Sequence, residues 1–195
     1  MKKIVVLVSG GGTNLQALID AKDVIVSGEI TKVISSKPGV YALERAKNAG
    51  IPGVVIARKS FPDNESYQKA LLTELKAENP DLIVLAGFLS IIGEEIIKEF
   101  PDKIINVHPS LIPSFCGDGF YGLKVHEAAL EKGVKVTGAT VHFVNEITDG
   151  GRIILQQPVM VEEGDTPETL QRRVMEQAEW KILPKACEMV LQGKA

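Results

Sequence analysis

The chain has 195 residues, 45% of them hydrophobic and 24% charged, with a formal net charge of −3, a composition suited to one globular domain that buries most of its apolar surface. Its lysines are scattered with no basic block, which leaves no electrostatic basis for nonspecific nucleic-acid binding, and no apolar run approaches the roughly 20 residues of a membrane helix. Cys116 and Cys187 lack zinc-ligand or redox spacing and no signal peptide is read at the start, so reduced thiols, a cytoplasmic location and small-molecule partners are expected.

The first element, Lys3 to Ser9, is short, β-branched and apolar throughout, as in a strand covered on both faces of a parallel sheet. It ends in Gly10-Gly11-Gly12, after which Thr13 or Asn14 is expected to cap a helix carrying Leu15, Leu18 and Ile19 at i, i+3 and i+4. A strand–glycine loop–helix unit gathers backbone N–H groups at a positive helix end, and glycines let a phosphate approach without meeting a Cβ. A dinucleotide fingerprint would place glycine at 15 and an acidic residue after the second strand, but Leu15 and Ser35-Ser36 stand there, and no Gly-Lys-Ser/Thr follows the glycines. One phosphomonoester on a sugar is the expected ligand.

The alternation repeats as strand Ile30–Ser35, helix Tyr41–Ala49, strand Gly53–Ile56, helix Ser66–Glu78, strand Leu82–Ala86, helix Glu94–Phe100 and strand Ile104–His108. This order predicts an α/β fold with a doubly wound, mostly parallel sheet. Asn106 and His108 alternate with Ile105 and Val107, so both polar side chains share one face at the strand end where such sheets bind ligands. An amide and an imidazole side by side offer two donors to the oxyanion of an acyl transfer. A histidine satisfied by backbone carbonyls is the plain alternative there.

After His108 a loop with Pro109, Pro113, Gly117, Gly119 and Gly122 precedes a helix over Val125–Lys132. Strands Val136–Val144 and Ile153–Val161, joined by Asn145–Gly151, are expected to add an antiparallel hairpin to the sheet. Asp149 by itself reads as a turn residue; beside His108 its carboxylate would favour the imidazolium, raise its pKa and orient the ring. His126 and His142 have no zinc spacing and are expected to be structural. In the closing helix Thr166 is the N-cap, Pro167 the first helical residue, and Leu170, Val174, Ala178 and Ile182 form a stripe that Pro184 is expected to interrupt.

The segments SGGGTNLQALIDA, DLIVLAGFLSII, INVHPSLIPSF, KVTGATVHFV and DGGRIILQQPV, in this order over nearly the whole chain, resemble those of the folate-dependent formyltransferases. The Asn-x-His-Pro-Ser-Leu-x-Pro element is specific to that family and its hydrolase relatives. The opening SGGGTN is similar to the ribonucleotide phosphate loop of its glycinamide ribonucleotide transformylases, whereas methionyl-tRNA formyltransferases open differently and carry a further C-terminal domain. The resemblance implies a Rossmann-like formyltransferase domain over 1–195, with 1–100 as the ribonucleotide phosphate-binding half and 101–195 as the folate-binding and catalytic half. It implies transfer of the formyl group of 10-formyltetrahydrofolate to the amine of N1-(5-phospho-D-ribosyl)glycinamide in de novo purine biosynthesis, by direct attack through a tetrahedral intermediate.

Residue by residue, the resemblance assigns catalysis to Asn106, His108 and Asp149. It assigns the ribonucleotide to Gly11, Gly12, Thr13, Asn14, Leu15, Pro109 and Glu179. Folate falls to Asn64, Leu89, Ser90, Ile91, Ile92, Asn106, Asn145, Glu146, Ile147, Thr148 and Asp149, although many relatives carry a basic side chain at the position of Ser90 and often another near Asn64. The loop 114–122 is expected to be a mobile flap, with Cys116 in it an ordinary thiol. The implied partners are the two small molecules, without metal, nucleic acid or membrane, and the chain acts as a monomer or homodimer. Two alternatives remain: a 10-formyltetrahydrofolate hydrolase, which leaves the phosphate loop without purpose, and a non-catalytic ribonucleotide-binding regulatory module.

Overall fold

In the computed structural model, which describes all 195 residues, the first strand, β1 (Lys2–Val8), alternates its side chains between two cores. Ile4, Val6 and Val8 enter one and Val5 and Leu7 the other, so the strand needs apolar residues at every position and lies in the middle of the sheet. The remaining strands are β2 (Gly28–Ser35), β3 (Gly53–Val55), β4 (Leu82–Leu85), β5 (Ile104–His108), β6 (Val136–Phe143) and β7 (Ile153–Met160). Their order is β3-β2-β1-β4-β5-β6-β7, with β1 to β5 parallel and β6 and β7 antiparallel. The doubly wound sheet and its antiparallel C-terminal hairpin are those the alternation predicts, and one sheet runs unbroken through both halves of the chain.

On the face of Ile4, Val6 and Val8 pack α1 (Thr13–Asp20), α2 (Tyr41–Asn48), α5 (Leu123–Lys132), α6 (Pro167–Val174) and α7 (Trp180–Leu191). The other face is covered by α3 (Asn64–Glu78), through Tyr67, Leu71 and Leu75, and by α4 (Glu94–Glu99), through Ile96. No helix is long and apolar enough to cross a membrane.

Two helix ends differ from expectation. Neither Thr13 nor Asn14 caps α1: the cap is Gly12, left-handed at φ 74°, with no side-chain cap bond. A Cβ at Gly12 would sit 2.7 Å from the Ala42 Cβ of α2, so close helix packing and positive φ together demand glycine there. At the other end, Thr166 caps α6 in a reciprocal capping box with Thr169, as predicted, and Pro167 opens the helix. Pro184, however, does not interrupt the closing segment; it lies buried within α7. The interruption comes earlier, as a π-helical turn over Met175–Glu179.

The order of strands reverses at β1, which pairs with β2 on one side and β4 on the other. Crevices at such reversals open beyond the carboxyl ends of the strands. The glycine loop leaves β1 there, residues 87–92 leave β4, and Asn106 and His108 end β5.

Candidate active site

A cleft of about 650 Å³ occupies this edge, and its walls come from both halves of the chain, from Asn14 to Glu179. At one end, beside Asn14, stands the glycine loop. No backbone carbonyl accepts from the N–H of any residue between Gly11 and Leu15. Successive unpaired amides at a helix N-terminus are free to receive hydrogen-bond acceptors, the arrangement that an anion requires. The side chain of Leu15 is fully buried in the core, so only its amide can serve a ligand.

At the other end the β5 pair meets the hairpin. Asn106 pairs with His142 of β6 and His108 with Thr140, and directly opposed residues share a face. Asp149, held at φ 54° in the turn, carries a side chain only 9% exposed. One of its oxygens, Oδ2, accepts from the Gly117 N–H at 2.9 Å and faces His108 Nδ1 at 3.5 Å. Its Oδ1 accepts from the Asn106 amide at 3.4 Å and faces His142 Nε2 at 3.5 Å. Asn106, His108 and Asp149 thus form one cluster, as the sequence reading requires.

The protonation of His108 differs from expectation. Its Nε2 is 2.8 Å from the Phe115 carbonyl while Nδ1 faces the carboxylate, so both ring nitrogens point at acceptors. Burial nevertheless outweighs the Asp149 charge and the Phe115 hydrogen bond, and it holds the pKa below the usual 6.5. The expected rise is therefore corrected to a fall: removing the imidazole from water costs the cation more than one carboxylate at 3.5 Å returns. For Asp149 burial pushes upward, but the His142 contact, the Gly117 N–H and the two imidazoles together hold its pKa below the ordinary value.

His142 was expected to be structural and is corrected to a member of the cluster. Its Nδ1 donates to the Phe143 carbonyl at 2.8 Å, which turns Nε2 toward the Asn106 amide at 3.3 Å. The sequence signal was its place in the alternation of an antiparallel neighbour of β5. His126 of α5, expected to be structural, is fully buried, lines the cleft, and has no partner for either ring nitrogen. Burial, with a smaller effect from His108, pushes its pKa down to about 4.

Between the two ends, Glu179 emerges from the π turn, buried, and accepts from the Asn14 amide at 2.7 Å. Burial pushes its carboxyl up to about 7 against that hydrogen bond. Pro109, Gln171 and Met175 also line this middle stretch. Across the cleft, residues 88–92 are pinned at both ends: the Leu89 N–H donates to Ser9 Oγ at 2.9 Å, and Gln68 of α3 donates to the Ile91 carbonyl at 2.8 Å. Leu89 and Ile91 are exposed, Ser90 is half-buried, and Ile92 is a core residue. Opposite them, Asn145, Glu146, Ile147 and Thr148 form the wall that leads to Asp149. Asn64 is not brought in; it is exposed on the first turn of α3 and does not line the cleft. The loop 114–122 lies over the cluster through Phe115 and Gly117 and is tied to the hairpin by Thr148 and Asp118 at 3.1 Å.

The profile of the Formyl transferase family matches residues 2–187. The phosphoribosylglycinamide formyltransferase of Haemophilus influenzae is 42% identical over all of this chain and 89% of that protein. The trifunctional purine biosynthetic protein adenosine-3 of Gallus gallus is 45% identical over 98% of this chain, which spans only 18% of that protein's length. Among solved structures, glycinamide ribonucleotide transformylase 1 from Symbiobacterium toebii superposes with a TM-score of 0.92 at 41% identity, covering 99% of this chain and 89% of that one.

Proposed function

Because the chain belongs to the Formyl transferase family, we propose that it transfers a formyl group from 10-formyltetrahydrofolate to the amine of N1-(5-phospho-D-ribosyl)glycinamide, a step of purine biosynthesis. One observation carries this reading: a row of unpaired amides fit for a phosphate runs up to Asn14, its one member in the lining of the cleft, and the same cleft holds an amide–imidazole–carboxylate cluster fit for acyl transfer. The amides of Gly11 to Leu15 take the phosphate, and Asn14, Pro109 and Glu179 hold the ribose and glycinamide portion. The folate lies between residues 89–92 and 145–149, whose exposed Leu89, Ile91 and Ile147 give a flat ring system apolar surface at the mouth. The phosphate end thus belongs mainly to residues 1–100 and the chemistry to 101–195, with Glu179 and residues 89–92 crossing over.

In the reaction the amine attacks the formyl carbon, and the carbonyl oxygen becomes an oxyanion. Asn106 Nδ2 and the His108 ring donate to it, and its negative charge raises the affinity of His108 for a proton. Asp149 holds the ring and accepts the proton that leaves the attacking nitrogen, for return to the departing folate nitrogen. The Phe115 carbonyl occupies the acceptor position of His108 Nε2, so the 114–122 loop yields that position to substrate.

Spectroscopic assay of donor consumption tests the reading. Consumption that requires the ribonucleotide is expected. Consumption without it would make the protein a hydrolase, and ribonucleotide binding without consumption would make it a regulatory module. Asn106→Ala and His108→Ala should each lower kcat by about 100-fold or more, the usual cost of an oxyanion donor; near wild-type turnover in either would remove that variant's residue from the mechanism.

A further inference from the structure

We infer that Arg45, on α2 and outside the cleft, is a positioning residue for the phosphate loop: it fixes the peptide planes whose N–H groups receive the phosphate. The inference rests on the anion-site reading above. All three glycine carbonyls of the loop are tied back into the protein. Gly10 accepts from the Ala42 N–H at 3.2 Å and Gly12 from the Gln16 N–H at 2.9 Å. Gly11, the middle one, has no backbone donor, and Arg45 Nε supplies it at 2.8 Å. In a trans peptide the N–H points opposite to the C=O of the same plane. The three tied carbonyls therefore aim the N–H groups of Gly11, Gly12 and Thr13 away from the protein. Of the three planes, only the Gly11–Gly12 plane is set by a side chain, and it lies between two residues whose glycine backbones could otherwise rotate.

The guanidinium is itself held on two further sides. Its Nη1 donates to Gln16 Oε1 of α1 at 3.0 Å, and its Cζ lies over the Tyr41 ring, 4.8 Å from the centroid. A planar fork that bridges loop, α1 and α2 is a task for arginine, whereas a lysine ammonium keeps the charge but reaches one partner at a time. Charge adds to the case. No lysine or arginine lines the cleft, while Asp118, Glu146, Asp149 and Glu179 do. A dianion entering that field meets neutral amides, and Arg45, one hydrogen bond behind Gly11, is a cation attached directly to the loop.

The test uses the full-length protein with Arg45→Met, which keeps an apolar stem against Tyr41, and Arg45→Lys. Inorganic phosphate affinity is measured by calorimetry, together with both substrate KM values, kcat and the thermal midpoint. Loss of a charge-assisted hydrogen bond should weaken phosphate and raise the ribonucleotide KM roughly ten-fold or more in Arg45→Met. The folate donor KM and kcat should stay within about two-fold, since a fixed phosphate acts on binding rather than on the chemical step. Arg45→Lys should recover only part of the loss. Unchanged phosphate affinity in Arg45→Met, or equal damage to both KM values, overturns the inference and leaves the anion site standing. Failure of the wild-type protein to bind phosphate at all overturns both. If Arg45→Met is too unstable to assay, Gln16→Met, which removes the Nη1 partner and one exposed hydrogen bond to Asp20, should show a smaller rise in the same KM, and no rise in it overturns the inference.

Discussion

His108 is pulled in opposite directions, and the balance decides how it can act. Burial takes water from the imidazolium, while Asp149 Oδ2 at 3.5 Å and the Phe115 carbonyl at 2.8 Å favour it. The ring therefore rests below its ordinary pKa, and in the proposed reaction it takes up a proton as the oxyanion forms beside it. Asp149→Asn removes the negative charge and keeps the shape and the turn, so the His108 pKa should fall further, and kcat should drop by about 100-fold with little change in either KM. Ring titration by NMR in both proteins checks this. An unchanged pKa would mean that Asp149 serves only the loop, through its bond from Gly117.

Within the β1–α1 unit, neighbouring glycines have different reasons to be glycine. Gly12 is left-handed and packed against Ala42, whereas a Cβ on Gly11 would meet nothing within 4 Å. Gly12→Val should therefore destabilise the fold by the combined cost of left-handed strain and overpacking, about 2–5 kcal/mol, seen as a lower thermal midpoint, and disturb both ligands. Gly11→Val should fold normally and raise the ribonucleotide KM alone, because its side chain would stand in front of the amide row. A normal ribonucleotide KM in a folded Gly11→Val protein would displace the phosphate from this loop.

The closing helix shows the same economy of placement. Leu170, Val174, Ala178 and Ile182 recur at a constant spacing of four and all are buried. On an ideal α-helix each such step drifts by about 40°, so three steps would carry the stripe off the core. The π turn over Met175–Glu179 takes up the drift and brings Met175 and Glu179 to the cleft, as π turns at functional sites often do.

Over the molecule as a whole, two buried groups give stability opposite slopes with pH. Glu179 is pushed up from 4.5 to about 7. Between those values the native chain holds a proton that the unfolded chain has released, so this group's contribution falls as pH rises. His126 is pushed down from 6.5 to about 4. In that window the unfolded chain binds the extra proton, so its contribution rises with pH and is lost on acidification. Each shift corresponds to roughly 3 kcal/mol at most, and the two nearly cancel between about pH 4.5 and 6.5. Thermal midpoints across this range should rise more steeply with pH in Glu179→Gln than in wild type, and less steeply in His126→Phe. His126→Phe should also be more stable at pH 5, because it removes two unpartnered nitrogens. Parallel curves for all three proteins would contradict both assignments.

Apolar runs alternating with amphipathic segments were enough to specify the doubly wound sheet, because hydrophobic periodicity is written locally in the chain. Asn106 and His108 were legible for the same reason: two residues apart on a strand, they share a face whatever surrounds them. The glycine loop was legible as a strand-to-helix turn with open amides, since its place between the first strand and first helix follows from order alone. The folate and ribonucleotide assignments came from likeness of motifs, and that likeness also suggested Asn64, which lies outside the cleft. Tertiary structure decided the rest. His142 joined the cluster through antiparallel register with β5, Arg45 reached the loop across two helices, and the sign of the His108 shift depended on burial. None of these is encoded at short range, because register, helix packing and loss of water exist only once distant segments meet.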